Sequence, residues 1–485
     1  MTQRPWLLAA AFCTMLLSAC GGGGGGNGFG TFAAIGAPAS ASAPTQTPES
    51  ASPGPTESPQ PAPSDAASPK SDEAPPLKLH AVGGTLSGLA GGESIVLLNN
   101  GADALTVTTA GSFRFATALA SGTTYSVTIG TQPLWQNCTL GNASGTIAAQ
   151  AIVDVSVNCT AAPVGVTTLA GDPLMGGTSV NGVGNKASFN GPIGVATDSQ
   201  GNVYVAEYFG HAIRKIGPDG TVTTFAGSTS PGFQNGRGAS ASFSSPVSVA
   251  VDAADNVYVG DQGNHAIRKI TPAGDVTTLA LLDDAGGPAS IEPYGLALDA
   301  QGNLYAADFR RSLVLKITPG GVVSTLAGSV YGATDGTHFN ASFSALMGMS
   351  IDASGNLYLA DHDFSLIRKV TPAAVVSTLA GSRTGSGSAD GRGADASFFF
   401  PSSVAADRAG NVFVADTNNH TVRKISPDGA VTTVSGSALA GPGTVDGAGK
   451  DARHNTPMGI AVDAAGHVYV ADYFGHTIRK LAARR

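Results

Sequence analysis

The stretch SVAVDAADNVYVGDQGNHAIRKI, residues 248–270, decides the fold because five variants of it occur elsewhere in the chain. The variants occupy residues 194–216, 295–317, 348–370, 403–425 and 459–481. The aspartates that anchor the six copies are Asp198, Asp252, Asp299, Asp352, Asp407 and Asp463, so that successive copies lie 47 to 56 residues apart. A repeat of this period predicts a solenoid or a propeller.

Each repeat offers four short strands. In the first repeat they are residues 194–197, 202–206, 212–216 and 221–226. Tight turns rich in Asp, Gly and Pro follow the first strand (198–201) and the third strand (217–220). Because no helical periodicity interrupts this pattern, four antiparallel strands that form one propeller blade are predicted for each repeat.

The two ends of the repeat region predict a closed ring. The sixth repeat ends at Leu481, directly after its third strand. The phrase of a fourth strand, VTTLAG, occurs once at residues 166–171 with no first three strands before it. This early segment is therefore expected to complete the last blade, which would remove the exposed edge of an open array.

The repeated phrase, with its Asp, Gly-Asn, Val-Tyr-Val-Ala-Asp and Asn-His-x-x-Arg-Lys elements, resembles the NHL repeat. The resemblance covers about 320 residues and implies an all-β, six-bladed NHL-type β-propeller over residues 163–485. The NHL family includes protein-binding and RNA-binding modules and a few enzymes, such as a peptide-amidating lyase. Membership would therefore imply the fold and leave the function open.

The N-terminal segment has the features of a lipoprotein signal peptide. Arg4 precedes an apolar stretch that is too short to span a membrane, and residues 17–20, Leu-Ser-Ala-Cys, resemble a bacterial lipobox. We expect residues 1–20 to be the signal and Cys20 to carry the lipid, although an ordinary signal peptide that ends near Ala19 is the alternative. Gly21 favours the outer membrane, with the protein facing the periplasm or the cell surface.

Two further segments precede the propeller. Residues 21–77 are rich in Gly, Pro, Ser and Ala, and we expect a disordered linker. Residues 78–160 alternate apolar and polar side chains and predict a small β-sandwich, in which Cys138 and Cys159 form a disulfide. This module resembles the immunoglobulin-like modules of bacterial surface lipoproteins, for which a spacer role is expected. The two thiols lack the spacing of a zinc site.

The formal net charge of −8 argues against nucleic-acid binding, which requires a basic surface. Within the propeller, the loops after the second and fourth strands of each repeat share one side of the ring, called here the variable face. The tight turns lie on the opposite side, called here the tight-turn face. Because binding residues concentrate on variable loops, the variable face is the predicted binding side.

The long loops follow a spacing rule. An Asn-Gly or Asp-Gly pair stands seven residues before an aromatic residue or histidine, at Phe189, Phe243, Phe343, Phe398 and His454. Fixed spacing predicts a fixed loop shape with an inward anchor. The loop before Pro293 lacks this insert, which predicts a notch in the rim.

Two sets of residues are the candidate ligand contacts. Aromatic residues at the loop tips predict recognition of a protein, peptide or glycan, unless they fold back on neighbouring blades. They are Tyr208, Phe209, Phe309, Phe364, Tyr473 and Phe474. The third and fourth repeats depart from the consensus beside the notch, which predicts a specialised sector unless the departures are drift. The residues of this sector are Glu292, Tyr294, Arg310, Arg311, His362 and Asp363.

Repeated histidines and acids are interpreted as structural. His211, His265, His420 and His476 occupy one repeat position and are therefore spread around the ring, and each repeat also has one Glu or Asp that can pair with a consensus arginine. We predict a monomeric binding or scaffold protein of the cell envelope without a cofactor. The alternative is a metal-assisted lyase or a lactonase-type hydrolase, with a metal ion at the centre of the ring.

Overall fold

The computed structural model describes residues 77–283 and 285–485, which form strands joined by turns and seven single-turn 3-10 helices. The expected signal peptide, Cys20 and all of the expected linker except residue 77 lie outside the described residues. No helix in the described part of the chain is both long enough and apolar enough to span a membrane.

Six blades surround one axis, and blades 1 to 6 are numbered in chain order, with strands a to d from the axis outward. The a strands are Pro192–Thr197, Pro246–Val251, Pro293–Leu298, Leu346–Ile351, Ser403–Ala406 and Pro457–Val462. The b strands are Val203–Glu207, Val257–Asp261, Leu304–Asp308, Leu357–Asp361, Val412–Asp416 and Val468–Asp472. The c strands are Ala212–Ile216, Ala266–Ile270, Leu313–Ile317, Leu366–Val370, Thr421–Ile425 and Thr477–Ala483.

The d strands of blades 1 to 5 are Thr221–Gly227, Asp275–Thr278, Val323–Ala327, Val375–Ala380 and Ala430–Gly436. In blade 6 this place is taken by Val164–Ala170, which pairs antiparallel with Thr477–Ala483. The a strands of blades 1 and 6 also pack against each other. The prediction of a six-bladed propeller closed by an N-terminal strand is therefore confirmed.

The anchoring aspartates shape the a–b turns. In blade 2, Asp252 Oδ1 accepts hydrogen bonds from the amides of Ala254 and Asn256 at 2.9 Å each. The Tyr258 hydroxyl donates to Asp252 Oδ2 at 3.3 Å. One carboxylate thus holds the turn and ties it to strand b, which explains why Asp, Asn and Tyr recur at fixed spacing in the repeat.

Glycines allow the a strands to converge on the axis. A Cβ atom at Gly459 would lie 1.9 Å from the carbonyl oxygen of Ile193 in the adjacent blade. At Gly295 the distance to the carbonyl oxygen of Met347 would be 2.2 Å. Any larger residue would push the neighbouring blades apart, so these two positions require glycine.

Five blades have a fifth strand, which the repeat pattern did not predict. Each fifth strand has two residues and pairs with strand d of its blade. The fifth strands are Gly182–Val183, Gly236–Arg237, Gly336–Thr337, Gly391–Arg392 and Gly447–Ala448. The long loops supply them, so the inserts cover strand edges that would otherwise be open to another chain. Among the described residues, blade 3 has neither the insert nor a fifth strand, and Leu282 forms an isolated parallel bridge with Val322, the residue before its outer strand.

The N-terminal module is a β-sandwich, as predicted. Its strands are Leu79–His80, Val82–Ser87, Ile95–Asn99, Asp103–Val107, Gly111–Arg114, Leu119–Ala120, Thr124–Thr131, Gln136–Gly141, Ser144–Thr146 and Ile152–Ala161. They form two four-stranded sheets and one small two-stranded sheet. Strand Val82–Ser87 runs parallel to Ile152–Ala161, whereas the other pairs of strands in the module are antiparallel.

The predicted disulfide lies in the core of the sandwich. Cys138 and Cys159 are directly opposite each other on neighbouring strands, are bonded, and are buried in the apolar cluster between the sheets. Val153 alternates in phase with Val155, Val157 and Cys159 in the sequence, but it does not face this core. A register shift between Ile152 and Val155 interrupts the alternation, and Val153 is 72% exposed.

The sandwich packs against the propeller on the tight-turn face of blades 5 and 6. The Trp135 ring lies 5.1 Å from the Phe413 ring and joins the apolar cluster that contains Val166 and Leu481. A Cβ atom at Gly92 would lie 1.8 Å from the carbonyl oxygen of Ala409, in the a–b turn of blade 5. The predicted spacer is thus a fixed neighbour of the ring and leaves the variable face uncovered.

Candidate binding face

A buried arginine holds each long loop in place. In blade 5, Arg423 donates from Nη1 to Asp416 Oδ2 at 2.9 Å and from Nη2 to Asp390 Oδ1 at 2.7 Å. Its guanidinium lies over the buried Phe398 ring, 5.3 Å from the centroid. Burial raises the pKa of Asp416 to about 6, against the lowering effects of Asn419, the Phe399 amide and Arg423.

The same unit, called here the arginine bracket, occurs in four other blades. Each bracket joins an arginine of strand c, the acid that ends strand b, and the Asn or Asp of the Asn-Gly or Asp-Gly pair. The bracket arginines are Arg214, Arg268, Arg368, Arg423 and Arg479, and all are fully buried. The structural interpretation of the repeated acids and anchor residues is therefore confirmed in these blades.

Blade 6 contains a polar variant of the anchor. His454 occupies the place of the phenylalanine, is fully buried, and pairs through Nδ1 with Asp472 Oδ1 at 3.1 Å. Its Nε2 lies 2.7 Å from Ser435 Oγ. Both ring nitrogens therefore have partners, Asp472 in blade 6 and Ser435 in strand d of blade 5, and this histidine is structural.

Blade 3 lacks two of the three bracket residues, the arginine and the Asn or Asp of the long loop. Leu315 replaces the arginine, the long insert is absent, and Leu315 is buried among apolar residues. Asp308 remains at the end of strand b, where it accepts a hydrogen bond from the Arg311 amide and pairs with the Arg311 side chain at 3.7 Å. The departures from the repeat are thus coordinated, because a buried arginine at position 315 would lack the acceptors that the long loop supplies in the other blades.

The repeated histidines occupy a backbone position with positive φ. His211, His265, His420 and His476 have φ between 49° and 54°, and Ser312 and Ser365 adopt the same conformation in blades 3 and 4. His211 Nδ1 accepts a hydrogen bond from the Ser245 amide at 3.0 Å, and His420 Nδ1 accepts one from the Thr456 amide at 3.2 Å. These side chains join neighbouring blades. Among the described residues, no group of three or more His, Cys, Asp or Glu side chains is placed to hold a metal ion.

Six side chains close the axis at the variable face and are called here the mouth. Each is the second residue of its a strand or, in blade 5, the residue directly before that strand, and each is at most 9% exposed. The mouth residues are Ile193, Val247, Tyr294, Met347, Ser402 and Met458. The axial channel that these residues line has a volume of about 50 Å³. This volume is enough for a few water molecules. The channel is therefore too small to hold a larger ligand.

The predicted aromatic residues of blades 1, 3 and 6 gather around the mouth. Phe209 lies 5.0 Å from Tyr208 and 6.2 Å from Tyr473, measured between ring centroids. Tyr473 lies 4.7 Å from Phe474. On the other side of the axis, Tyr294 packs against Phe309 at 5.4 Å. These residues belong to three different repeats, and closure of the ring brings them together in one aromatic surface.

Only some of these rings reach solvent. Phe209 is 51% exposed and Phe474 43% exposed, whereas Tyr294 and Tyr473 are buried. Burial, with smaller contributions from Tyr208 and Tyr473, raises the pKa of Tyr294. The Tyr294 hydroxyl has no hydrogen-bond partner within the described residues. The two buried tyrosines therefore support the surface, and the two phenylalanines present it.

The charged residues of blade 3 lie beside this surface. Glu292 Oε1 is 3.4 Å from Arg310 Nη1 and 3.6 Å from His265 Nδ1. The Arg310, Arg311 and His265 side chains are each more than half exposed. The sequence placed Glu292, Arg310 and Arg311 in one sector, and the structure adds His265 from blade 2.

The candidate residues of blade 4 form a separate cluster. His362 Nδ1 lies 2.8 Å from Asp363 Oδ1, and the Tyr331 hydroxyl donates to Asp363 Oδ2 at 3.1 Å. Phe364 packs on Tyr331 with 5.6 Å between centroids. Sequence reasoning missed Tyr331 because its loop position matches no repeated element, although a tyrosine in a variable loop was a usable signal. The mouth methionines were missed because their repeat position carries Ile, Val, Tyr, Met or Ser in different blades and so shows no consensus residue.

The comparisons with known proteins agree with this architecture. The NHL repeat model matches residues 243–270 and 398–425. Each match begins at an anchor phenylalanine, Phe243 or Phe398, and ends with strand c of blade 2 or blade 5. Two of the six repeats thus match the NHL repeat, in agreement with the sequence resemblance.

Two curated proteins are similar to parts of the chain. NHL repeat-containing protein 2 of Bos taurus is 27% identical over 322 residues, which is 62% of this chain and 40% of that protein. The chloroplastic protein SUPPRESSOR OF QUENCHING 1 of Arabidopsis thaliana is 32% identical over 91 residues, 19% of this chain and 9% of that protein. The chain thus spans less than half the length of each of these relatives.

Solved structures share more of the architecture. A protein of unknown function from Bacteroides thetaiotaomicron has a TM-score of 0.56 at 18% identity and covers 85% of this chain and 99% of its own. An auxiliary nutrient binding protein from the same organism has a TM-score of 0.52 at 16% identity and covers 83% and 97%. Because the propeller is only about two thirds of the chain, both matches extend beyond it. At these identities, the likeness shows the fold.

Proposed function

We propose that this protein is a lipid-anchored binding protein of the bacterial envelope, and that its variable face takes an extracytoplasmic protein, peptide or glycan. Under this proposal, Cys20 carries the lipid, the sandwich is an immunoglobulin-like module, and the protein acts as a monomer at the outer membrane. The ligand would bind across the mouth and its aromatic surface.

The aromatic surface around the mouth is the observation that carries the proposal. Phe209 and Phe474 remain about half exposed although they belong to a continuous aromatic cluster with buried members. Exposed apolar residues that adjoin one another at a rigid site are typical of binding surfaces. Glu292 and Arg310 at its border add hydrogen-bonding groups that can orient a ligand.

Two further observations support this choice of face. The sandwich covers part of the tight-turn face, at blades 5 and 6, and leaves the variable face open. In addition, a structure of similar fold, which extends beyond the propeller, belongs to an auxiliary nutrient binding protein. A ligand-binding role for this chain is in line with that neighbour.

The test is a binding measurement with purified full-length protein against envelope proteins, peptide libraries and oligosaccharides. The paired substitution Phe209→Ala and Phe474→Ala should weaken binding at least tenfold, because both exposed rings of the surface are removed. Phe339→Ala is the matched control, since Phe339 is 63% exposed but lies in the outer insert of blade 4, beside the c–d turn. Equal loss in the control would contradict the proposed site, and turnover of a lactone or lyase substrate at the mouth would contradict a pure binding role.

A further inference from the structure

A second recess lies on the variable face, away from the mouth, between blades 4 and 5. Its walls are residues 363–365, residues 382–386 and Phe400. The recess has a volume of about 220 Å³. This space is more than four times that of the axial channel. It is called here the side groove. We propose that the side groove binds one hexose-sized unit of a neutral glycan, an inference that rests on the proposed binding function.

Asp363 provides a fixed acceptor on one wall. Its carboxylate is held by His362 at 2.8 Å and by the Tyr331 hydroxyl at 3.1 Å, and its side chain is 25% exposed. Burial alone would raise the pKa of Asp363, but the hydrogen bonds and the charge of His362 outweigh burial and lower it. A carboxylate has about four lone-pair positions, so two remain for ligand hydroxyl groups.

Arg383 and its neighbours provide donors on the facing wall. The Arg383 guanidinium pairs with Asp335 at 3.1 Å, donates to Thr378 Oγ1 at 3.0 Å, and remains 51% exposed. A guanidinium has five N–H donors, so several are left for a ligand. The Ser382 and Thr384 hydroxyls lie 2.7 Å apart on the same loop.

The charge pattern favours a neutral ligand with many hydroxyl groups. A carboxylate on one wall and a guanidinium on the other would each repel one sign of charge at close range. Hydroxyl groups can donate to Asp363 and accept from Arg383 in the same pose. A sugar ring presents such groups along its edge.

Aromatic side chains supply the remaining surface. Phe364 is 39% exposed and rests on Tyr331. Phe400 is held between His362, with centroids 4.8 Å apart, and Phe399, at 5.1 Å, so it is fixed in place. The negative face of an aromatic ring attracts polarised C–H groups, and the faces of a pyranose ring consist of such groups. The exposed Phe364 ring therefore suits one face of a sugar.

A peptide fits the surroundings less well. Binding of an extended peptide to a sheet requires a free strand edge. The outer edges of blades 4 and 5 are already paired with Gly336–Thr337 and Gly391–Arg392. The groove walls also lack a deep apolar pocket for a side chain, since five of their nine residues are Ser, Thr or Gly.

The test measures binding of a panel of neutral gluco-, galacto-, manno- and xylo-oligosaccharides to the full-length protein by calorimetry. Phe364→Ala, Asp363→Asn and Arg383→Ala are each expected to raise the Kd of the bound glycan at least tenfold. Arg392→Ala is the control for Arg383→Ala, because Arg392 is also exposed and ion-paired but lies on the outer edge. Unchanged thermal unfolding of each variant would separate loss of binding from loss of fold.

Three outcomes would overturn the inference, and they separate it from the proposed function. Glycan binding that is lost only in the Phe209→Ala and Phe474→Ala variant would place the sugar at the mouth and leave the binding role intact. Binding of a peptide or protein with no affinity for any neutral glycan would also leave that role intact. If the protein bound no protein, peptide or glycan in either assay, both the proposed function and this inference would be rejected.

Discussion

Thr167 lies directly opposite Lys480 in an antiparallel strand pair, although almost the entire propeller separates the two residues along the chain. In blade 1, Thr223 lies opposite Lys215 in the same register, but there the two residues belong to consecutive strands. The lysine in each pair lies over a tyrosine of strand b, Tyr469 or Tyr204. Blade 6, which closes the ring, therefore has the same local geometry as the other blades. Its connectivity differs, because its strand d, Val164–Ala170, precedes blade 1 in the chain.

A disulfide between Thr167→Cys and Lys480→Cys should stabilise the protein more than the same bond within one blade. In the chain-entropy model, closing a loop of several hundred residues contributes up to about 5 kcal/mol, and closing a loop of ~10 residues contributes roughly 2 to 3 kcal/mol. Guanidinium unfolding of the oxidised variants measures the difference. The control pair is Thr223→Cys with Lys215→Cys, and equal midpoints would mean that the closing strand does not hold the ring.

The arginine brackets should carry a large share of the stability of their blades. We expect Arg423→Leu to lower the free energy of unfolding by about 3–5 kcal/mol, because it leaves Asp416 buried and without its charged partner. The control is Arg392→Leu, whose ion pair with Asp428 spans 3.5 Å between side chains that are more than half exposed, and which should cost less than about 1 kcal/mol. Similar losses for both variants in urea unfolding would refute the structural role of the bracket.

The Tyr294 hydroxyl should be a source of instability. Because it is buried without a hydrogen-bond partner among the described residues, Tyr294→Phe is expected to stabilise the protein by about 1 kcal/mol. Tyr204→Phe should do the opposite by a similar amount, since the Tyr204 hydroxyl donates to Asp198 at 3.2 Å. Thermal unfolding of both variants tests these two opposite changes in stability. Destabilisation by Tyr294→Phe would mean that the Tyr294 hydroxyl has a hydrogen-bond partner in the axial channel.

Glu93 should make the contact between sandwich and propeller sensitive to pH. Burial raises the pKa of Glu93, Asp407 raises it further, and the Leu134 amide and Lys424 lower it only in part. A raised pKa in the folded state favours folding at pH values below the unfolded pKa, and this contribution is lost as pH rises through the folded pKa. Glu93→Gln should therefore flatten the decline in stability above about pH 4.5.

Denaturant unfolding of the parent protein and the Glu93→Gln variant between pH 4 and pH 8 is the measurement. The glutamine keeps an oxygen to accept the Leu134 amide, so the fold is expected to persist. Parallel pH profiles of the two proteins would contradict the assignment. The profiles should converge at the acidic end, where Glu93 is protonated in the folded and the unfolded chain.

The sequence was most informative where the repeat constrains it. Six strongly patterned strand triplets, the early VTTLAG segment and the fixed distance to Phe189 and its equivalents each follow from repeated local chemistry. The disulfide was predictable because Cys138 and Cys159 were the two cysteines beyond the N-terminal segment. Repetition makes each element visible several times, so an error in one copy is corrected by the others.

The sequence was least informative about contacts between parts that are distant in the chain. The two-residue fifth strands are too short to show alternation. The packing of Trp135 on Phe413 joins two modules with no common pattern. Burial of Tyr294 and Tyr473 depends on how six strands converge at the axis, and the side groove depends on two loops that meet only in the folded ring.

The docked sandwich also determines which fragments of this protein can be studied. Its Asn137 side chain donates to the Arg484 carbonyl at 3.1 Å, and Arg485 reaches back to the Pro133 carbonyl at 2.7 Å. A truncated fragment that began at residue 163 would keep every blade. It would expose the apolar residues of the propeller on which Trp135 packs, and it would release the C-terminal tail. Such a fragment would be prone to self-association during purification, and a biochemist who wants a well-behaved sample should retain the chain from residue 77 onward.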